Sequence, residues 1–214
     1  MLRTLTILCG VATGVALPSA NDPANDLRSL LFGSFRPAPT PCPDAHTLVM
    51  TTQEVLQQQK IWGDTVVAIG AAYTANPTGQ EHIKIATDAA SNIYAYDHLL
   101  VMFKPTLASD VQFRPNPQDA LSYFVGHSDH IAGAPGIHME DTGFAVKPWS
   151  SVVFHNHGIY CSGDICHAMG VYDFTDANIN NVTTVEYTFG YKKFPGGNIR
   201  IFLHHSSLPF QPAR

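Results

Sequence analysis

The sequence predicts an α+β fold, a cone-shaped, curved antiparallel β-sheet packed against N-terminal helices. Three observations predict it. Apolar residues recur at helical spacing from Val55 to Ile93, strand-like runs fill the chain from Phe144 to Ser207, and Gly163-Asp164 and Pro195-Gly196-Gly197 supply tight turns between runs. A sheet curved this strongly encloses a pocket, the natural place for small-molecule chemistry.

Met1 to Ala20 has Arg3, an apolar stretch from Leu5 to Leu17 and small residues up to Ala20, the order of a secretory signal. The stretch is too short for a membrane span, and no later segment approaches the ~20 apolar residues that a span needs. Such a signal leads to a secreted, periplasmic or lumenal destination, or serves as the first half of a two-step plastid address. Residues 21–43 are polar and end in alternate prolines, Pro37, Pro39, Pro41 and Pro43, which favour an extended linker. A single folded domain is expected over residues 44–210.

Thr51-Thr52-Gln53-Glu54 fits a capping box with Met50 and Val55 as its staple, and Val55, Trp62, Val66, Ile69 and Tyr73 mark the buried face of a helix running to about Tyr73. Thr78-Gly79-Gln80-Glu81 repeats the capping pattern before Ile83, Ala86, Ala90 and Ile93, a second helix. His98 to Lys104 reads as a buried strand closed by Pro105. Asn116-Pro117-Gln118-Asp119 puts a cap, a first-position proline and a first-turn acid ahead of a short third helix. A Gly/Pro/His-rich loop without fixed geometry, His127 to Glu140, leads to strands over Phe144 to Tyr160, Ile165 to Thr175, Thr183 to Lys193 and Asn198 to Ser207. Across the Gly163-Asp164 turn, Cys161 and Cys166 fit either a cross-hairpin disulfide or two free thiols. Asn181-Val182-Thr183 is a glycosylation sequon for a chain on the secretory route.

The 214 residues carry a formal net charge of −5 with only 14% charged side chains, so no basic footprint for nucleic acid exists. The 11 His, 8 Tyr and 12 Phe instead suit an apolar cavity with neutral hydrogen-bonding groups. His155 and His157 share a strand face, two potential metal ligands. A hairpin centred on Gly163-Asp164 sets His155 opposite Tyr172, His157 opposite Gly170 and His167 opposite Tyr160 on the other face, so His167 cannot complete the set and no acid stands on the matching face. His127, His130 and His138 lie in the loop. Leu203-His204-His205-Ser206-Ser207 closes an apolar strand with four hydrogen-bonding side chains, whose unpaired burial would cost about 1–3 kcal/mol each. Alternation sends one His/Ser pair to each face. His205 and Ser207 continue the face of Ile199, Ile201 and Leu203, whereas His204 and Ser206 share that of Phe202, opposite Phe189 and Tyr187. Either pair can face the pocket.

Taken together, Phe103-Lys104-Pro105-Thr106, Ala120-Leu121-Ser122-Tyr123-Phe124, Glu140-Asp141-Thr142-Gly143-Phe144, Ala168-Met169-Gly170, Val185-Glu186-Tyr187-Thr188-Phe189 and His204-His205-Ser206-Ser207, followed by Pro209, resemble the iota-class carbonic anhydrases. The resemblance spans most of the folded domain. It implies the cone fold shared with nuclear transport factor 2 and the calcium/calmodulin-dependent kinase II association domain. The activity it implies is reversible hydration of carbon dioxide to bicarbonate by a homodimer. It carries Thr106, Tyr123, His204, His205, Ser206 and Ser207 over as candidate site residues. Members with and without a metal exist, so the resemblance demands no cofactor and leaves zinc and manganese open. Two further readings stand beside it: a non-catalytic ligand-binding or oligomerisation module of the same fold, and a metal-dependent hydratase built on His155, His157 or the loop histidines.

Overall fold

The computed structural model describes residues 48–212; the expected signal (1–20) and linker (21–43), with Cys9 and Cys42, lie outside the described residues. Helix α1, Thr52–Ala75, opens with the expected capping box: Glu54 N donates to Thr51 Oγ1 at 3.3 Å and Thr51 N to Glu54 Oε2 at 2.9 Å. Met50 and Val55, the staple pair, are both buried. Its inward face carries Val55, Gln59, Trp62, Val66 and Ile69, whereas Tyr73 is only partly buried. Gly70 admits close packing, since a Cβ there would sit 2.9 Å from the Ala145 carbonyl oxygen.

Helix α2, Glu81–Asn92, starts later than the second capping pattern predicts. Gln80 holds the cap position with no side-chain hydrogen bond, and the Thr78 hydroxyl bonds Asn76 instead. Strand β1 shrinks from the expected His98–Lys104 to Met102–Lys104, because His98 N and Leu99 N both bond back to the Ala95 carbonyl and close a turn. Helix α3, Pro117–Val125, follows the Asn116 cap as expected, with Asp119 N donating to Asn116 Oδ1 at 3.0 Å.

Four long strands complete the molecule: β2, Trp149–Ser162, β3, Ile165–Asp176, β4, Val182–Lys193, and β5, Ile199–Ser207. They pair antiparallel in a curved, unclosed sheet of order β1-β5-β4-β3-β2. The short β1 adds to β5 in parallel, which makes the sheet mixed at that edge. Helix α1 lies across β2 and against α2, and α2 packs on α3. Trp62 is the hub of the core, with tilted or edge-on contacts to Phe154, Tyr172, Phe189 and His204.

Three register shifts interrupt the ladders, one at the start of β2 between Trp149 and Ser151 and two that bear on the site. The β2–β3 register matches expectation near the turn, where Cys161 opposes and is disulfide-bonded to Cys166, and Tyr160 opposes His167. Between Asn156 and Gly158 it slips, so that His155 faces Val171, not Tyr172, and Asn156, not His157, faces Gly170. Gly170 is required there, since a Cβ would collide with the His155 carbonyl. The shift between Gly190 and Tyr191 of β4 leaves Phe202 of β5 without a partner. Ile199 and Ile201 are buried before it, and His204 and Ser206 after it.

Candidate active site

The Phe202 bulge decides which pair of the last strand points inward. Once the extra residue is inserted, the core parity passes from Ile201 to His204 and Ser206, opposite Phe189 and Tyr187 as the sequence predicts. The His204 ring stacks on Phe103, its parallel partner on β1, with centroids 4.6 Å apart, and meets the edge of Phe189 at 4.1 Å. Its two nitrogens are in use. Nδ1 lies 2.8 Å from the Tyr94 hydroxyl, which accepts the Trp62 Nε1 hydrogen at 3.0 Å. Nε2 lies 2.9 Å from Ser206 Oγ, and the Tyr172 hydroxyl is 2.5 Å from that oxygen. All five side chains are at most 3% exposed.

Beside these hydrogen-bonded side chains is a narrow space lined by Thr106, Tyr123, Tyr172, His204 and Ser206 and walled by Phe103, Phe124, Phe144 and Phe174. About 10 Å³ of it is open to the centre of a water-sized molecule. A wider apolar chamber of about 320 Å³ adjoins it through the shared Thr106 and Phe144, with Lys147 on its lining. Four of the six predicted site residues therefore converge: Thr106 after β1, Tyr123 on α3, and His204 and Ser206 on β5. His205 and Ser207 point the other way, His205 to solvent and Ser207 to Glu186 at 2.9 Å. Tyr172 and Tyr94 are the partners that sequence reasoning missed. The unbulged register set Tyr172 opposite His155, whereas its hydroxyl meets Ser206.

The electrostatics favour neutral groups. Burial, with His205 nearby, pushes the His204 imidazole well below its usual 6.5, so it carries no charge at neutral pH. Burial likewise drives the Tyr94, Tyr123 and Tyr172 hydroxyls well above 10, and they remain protonated donors. The sign of the histidine shift gives a stability prediction. His204 and His82 are both depressed by burial, so below about 6.5 the unfolded chain binds more protons than the folded one. Stability is full above about 6.5 and falls on acidification, by at most ~1.4 kcal/mol per pH unit for each histidine. Urea midpoints at pH 7 and pH 5 will show the fall, and His82→Leu is expected to make it shallower.

Three of the other histidines take structural partners. His155 Nε2 is 3.0 Å from Asp173 Oδ2, which corrects the expectation that no acid shares its face; the bulge brings it there. The loop after α3 is likewise tethered, contrary to the expectation of no fixed geometry. His138 Nε2 is 2.7 Å from Asp119 Oδ1, and His130 Nε2 is 2.8 Å from the Met139 carbonyl. Among the described residues, no three His, Cys, Asp or Glu side chains converge in a metal-holding group. A buried ion cluster fixes the loop against the site. Arg114 Nη2 donates to Asp141 at 2.8 Å and Glu140 at 3.2 Å, and Asp141 accepts the Ser122 hydroxyl at 2.6 Å. Phe144 N then donates to the Tyr123 carbonyl at 2.9 Å, which holds the α3 end of the cavity in place.

The sequence profile of the family described as metal-independent carbonic anhydrase matches residues 53–208. A metal-independent carbonic anhydrase of Nostoc sp. is 38% identical over 164 residues, covering 76% of this chain and 75% of that protein. The crystal structure of a cyanobacterial iota-carbonic anhydrase complexed with bicarbonate superposes with a TM-score of 0.68 at 34% identity, over 77% of this chain and 95% of that one. A nuclear transport factor 2-like superfamily protein of Salmonella enterica aligns at 12% identity, over 75% of this chain and 92% of that one, with a TM-score of 0.41.

Proposed function

The chain belongs to the metal-independent carbonic anhydrases, and on that premise we propose that carbon dioxide and bicarbonate interconvert in the cavity bounded by Thr106, Tyr123, Tyr172, His204 and Ser206. The observation that carries the proposal is convergence: hydroxyl-bearing side chains from the turn after β1, from α3, from β3 and from β5 line one aromatic-walled space. A relative's structure holding bicarbonate supports the same ligand here. The phenylalanine walls suit neutral carbon dioxide, and the wider chamber is its route in.

Water attacks the carbon, an O–C bond forms, and one C=O π pair moves onto an oxygen. The hydroxyls of Thr106 and Tyr123 donate to the oxygens as charge develops on them. His204 is a poor base, because burial already disfavours its imidazolium. The proton of the attacking water therefore goes to the oxygen of a Ser206 or Tyr172 hydroxyl while that hydroxyl passes its own hydrogen to a carbon dioxide oxygen. The product is carbonic acid, which dissociates to bicarbonate and a proton on leaving. No step needs a charged side chain.

Stopped-flow hydration by the purified protein tests this reading. Acceleration over buffer is expected, unchanged after exhaustive chelation and flat between about pH 6 and 9, where a zinc-bound water would titrate near ~7. Hydration at the buffer rate overturns the proposal. The outer sheet face, with exposed Val153, Tyr160 and Met169, supports a homodimer formed by a second copy packing there. Light scattering that returns the mass of a single chain would rule that pairing out.

A further inference from the structure

We propose that Tyr94, oriented by Trp62, is a positioning residue that sets the tautomer of His204: Nδ1 is the bare acceptor and Nε2 carries the hydrogen. The imidazole then donates to Ser206, and one hydroxyl hydrogen of the Ser206–Tyr172 pair is left for the cavity.

The argument is a count of hydrogens in a sealed chain. An indole N–H can only donate, so Trp62 occupies one lone pair of the Tyr94 oxygen. Tyr94 is buried, and its own hydrogen must find an acceptor. Among the described residues the remaining side-chain partner of that hydroxyl is His204 Nδ1, at 2.8 Å. A hydrogen on Nδ1 would leave the Tyr94 hydrogen stranded, with both neighbours pointing hydrogens at one oxygen. A stranded buried donor is disfavoured by about 10-fold or more, which leaves Nδ1 bare and Nε2 protonated. Nε2–H then donates to Ser206 Oγ at 2.9 Å. Ser206 and Tyr172 share one hydrogen bond between two hydroxyls, so one of their two hydrogens is spare. It is the hydrogen that the hydration step passes to a carbon dioxide oxygen, and this consequence rests on the function proposed above. The tautomer does not.

Imidazole nitrogen shifts in a long-range proton–nitrogen correlation spectrum of isotope-labelled protein decide the matter without any activity, with His204→Asn identifying the His204 signals. The expected spectrum of the unaltered chain shows Nε2 protonated and Nδ1 as a hydrogen-bonded acceptor. In Tyr94→Phe the ratio of the two tautomers is expected to fall about 10-fold or more toward the Nδ1–H form, with hydration slower by a similar factor. An Nδ1–H or doubly protonated pattern in the unaltered chain overturns the inference even if the variant does not fold, and so does an unchanged ratio in a folded Tyr94→Phe. Hydration at the buffer rate with the Nε2–H pattern present would instead sink the carbonic anhydrase site and leave the tautomer standing.

Discussion

Tyr123→Phe is expected to lower kcat/KM for carbon dioxide hydration by about 100- to 1,000-fold while moving the thermal midpoint by no more than a few degrees. Tyr123 lines the cavity, and burial keeps its hydroxyl protonated across the working pH range. Loss of one preorganised donor to a developing oxyanion costs about 2.7–4 kcal/mol of transition-state stabilisation. The ring stays, with its stacked contact to Phe144 and its edge contacts to Phe103 and Phe124, so the fold loses little. Ser207→Ala is the matched control. It removes a hydroxyl of the same strand that bonds Glu186 on the outer face, and the rate should not change. Stopped-flow rates that leave Tyr123→Phe equal to the unaltered chain would remove this hydroxyl from the chemistry.

What could be read from the sequence was whatever is specified locally. The Thr51–Glu54 box and the Asn116-Pro117 start each satisfy backbone donors within four residues, so composition at fixed offsets is enough to place them. The pairing of His204 with Phe189 and of Ser206 with Tyr187 followed from counting back from a tight turn. Counting failed at His155 and His157, where a bulge inserts one residue and inverts the faces beyond it, and it left open which His/Ser pair of the last strand turns inward, because the bulge at Phe202 carries no local mark. The parallel addition of β1 to β5 was hidden for a related reason. It joins residues some hundred positions apart across a connection that no hairpin turn announces.

The chemistry was legible in part for the same physical cause. Thr106, Tyr123, His204 and Ser206 stood out through motif resemblance, whereas Tyr94 and Tyr172 look like core aromatics in sequence and are core aromatics in space. Their hydroxyls matter only because the sheet's curvature sets them beside an imidazole. Arg114 was equally invisible. It sits in a polar stretch between a strand and a helix cap, where a surface charge is the ordinary expectation, yet the side chain is fully buried.

Arg114→Leu is expected to destabilise the protein by about 3–5 kcal/mol, the usual consequence of leaving a buried charge without its partner. Asp141 is the group left behind. Burial already raises its pKa, and the Ser122 hydroxyl and Arg114 hold that rise in check. Glu140 is better protected, since the amides of Asp110, Val111 and Ser109 outweigh its own burial and keep it well below the usual carboxylate range. Without Arg114 the Asp141 pKa climbs further, so the folded state binds a proton that the unfolded state releases, and stability falls as pH rises through that window. The deficit of the variant should therefore be largest at neutral pH and shrink toward pH 5, a trend that urea midpoints at the two pH values will measure. Adding Asp141→Asn removes the orphaned charge but keeps an acceptor for Ser122, and the double variant should regain part of the loss. A double variant no more stable than Arg114→Leu at neutral pH would show that the guanidinium acts by filling space and not by balancing Asp141.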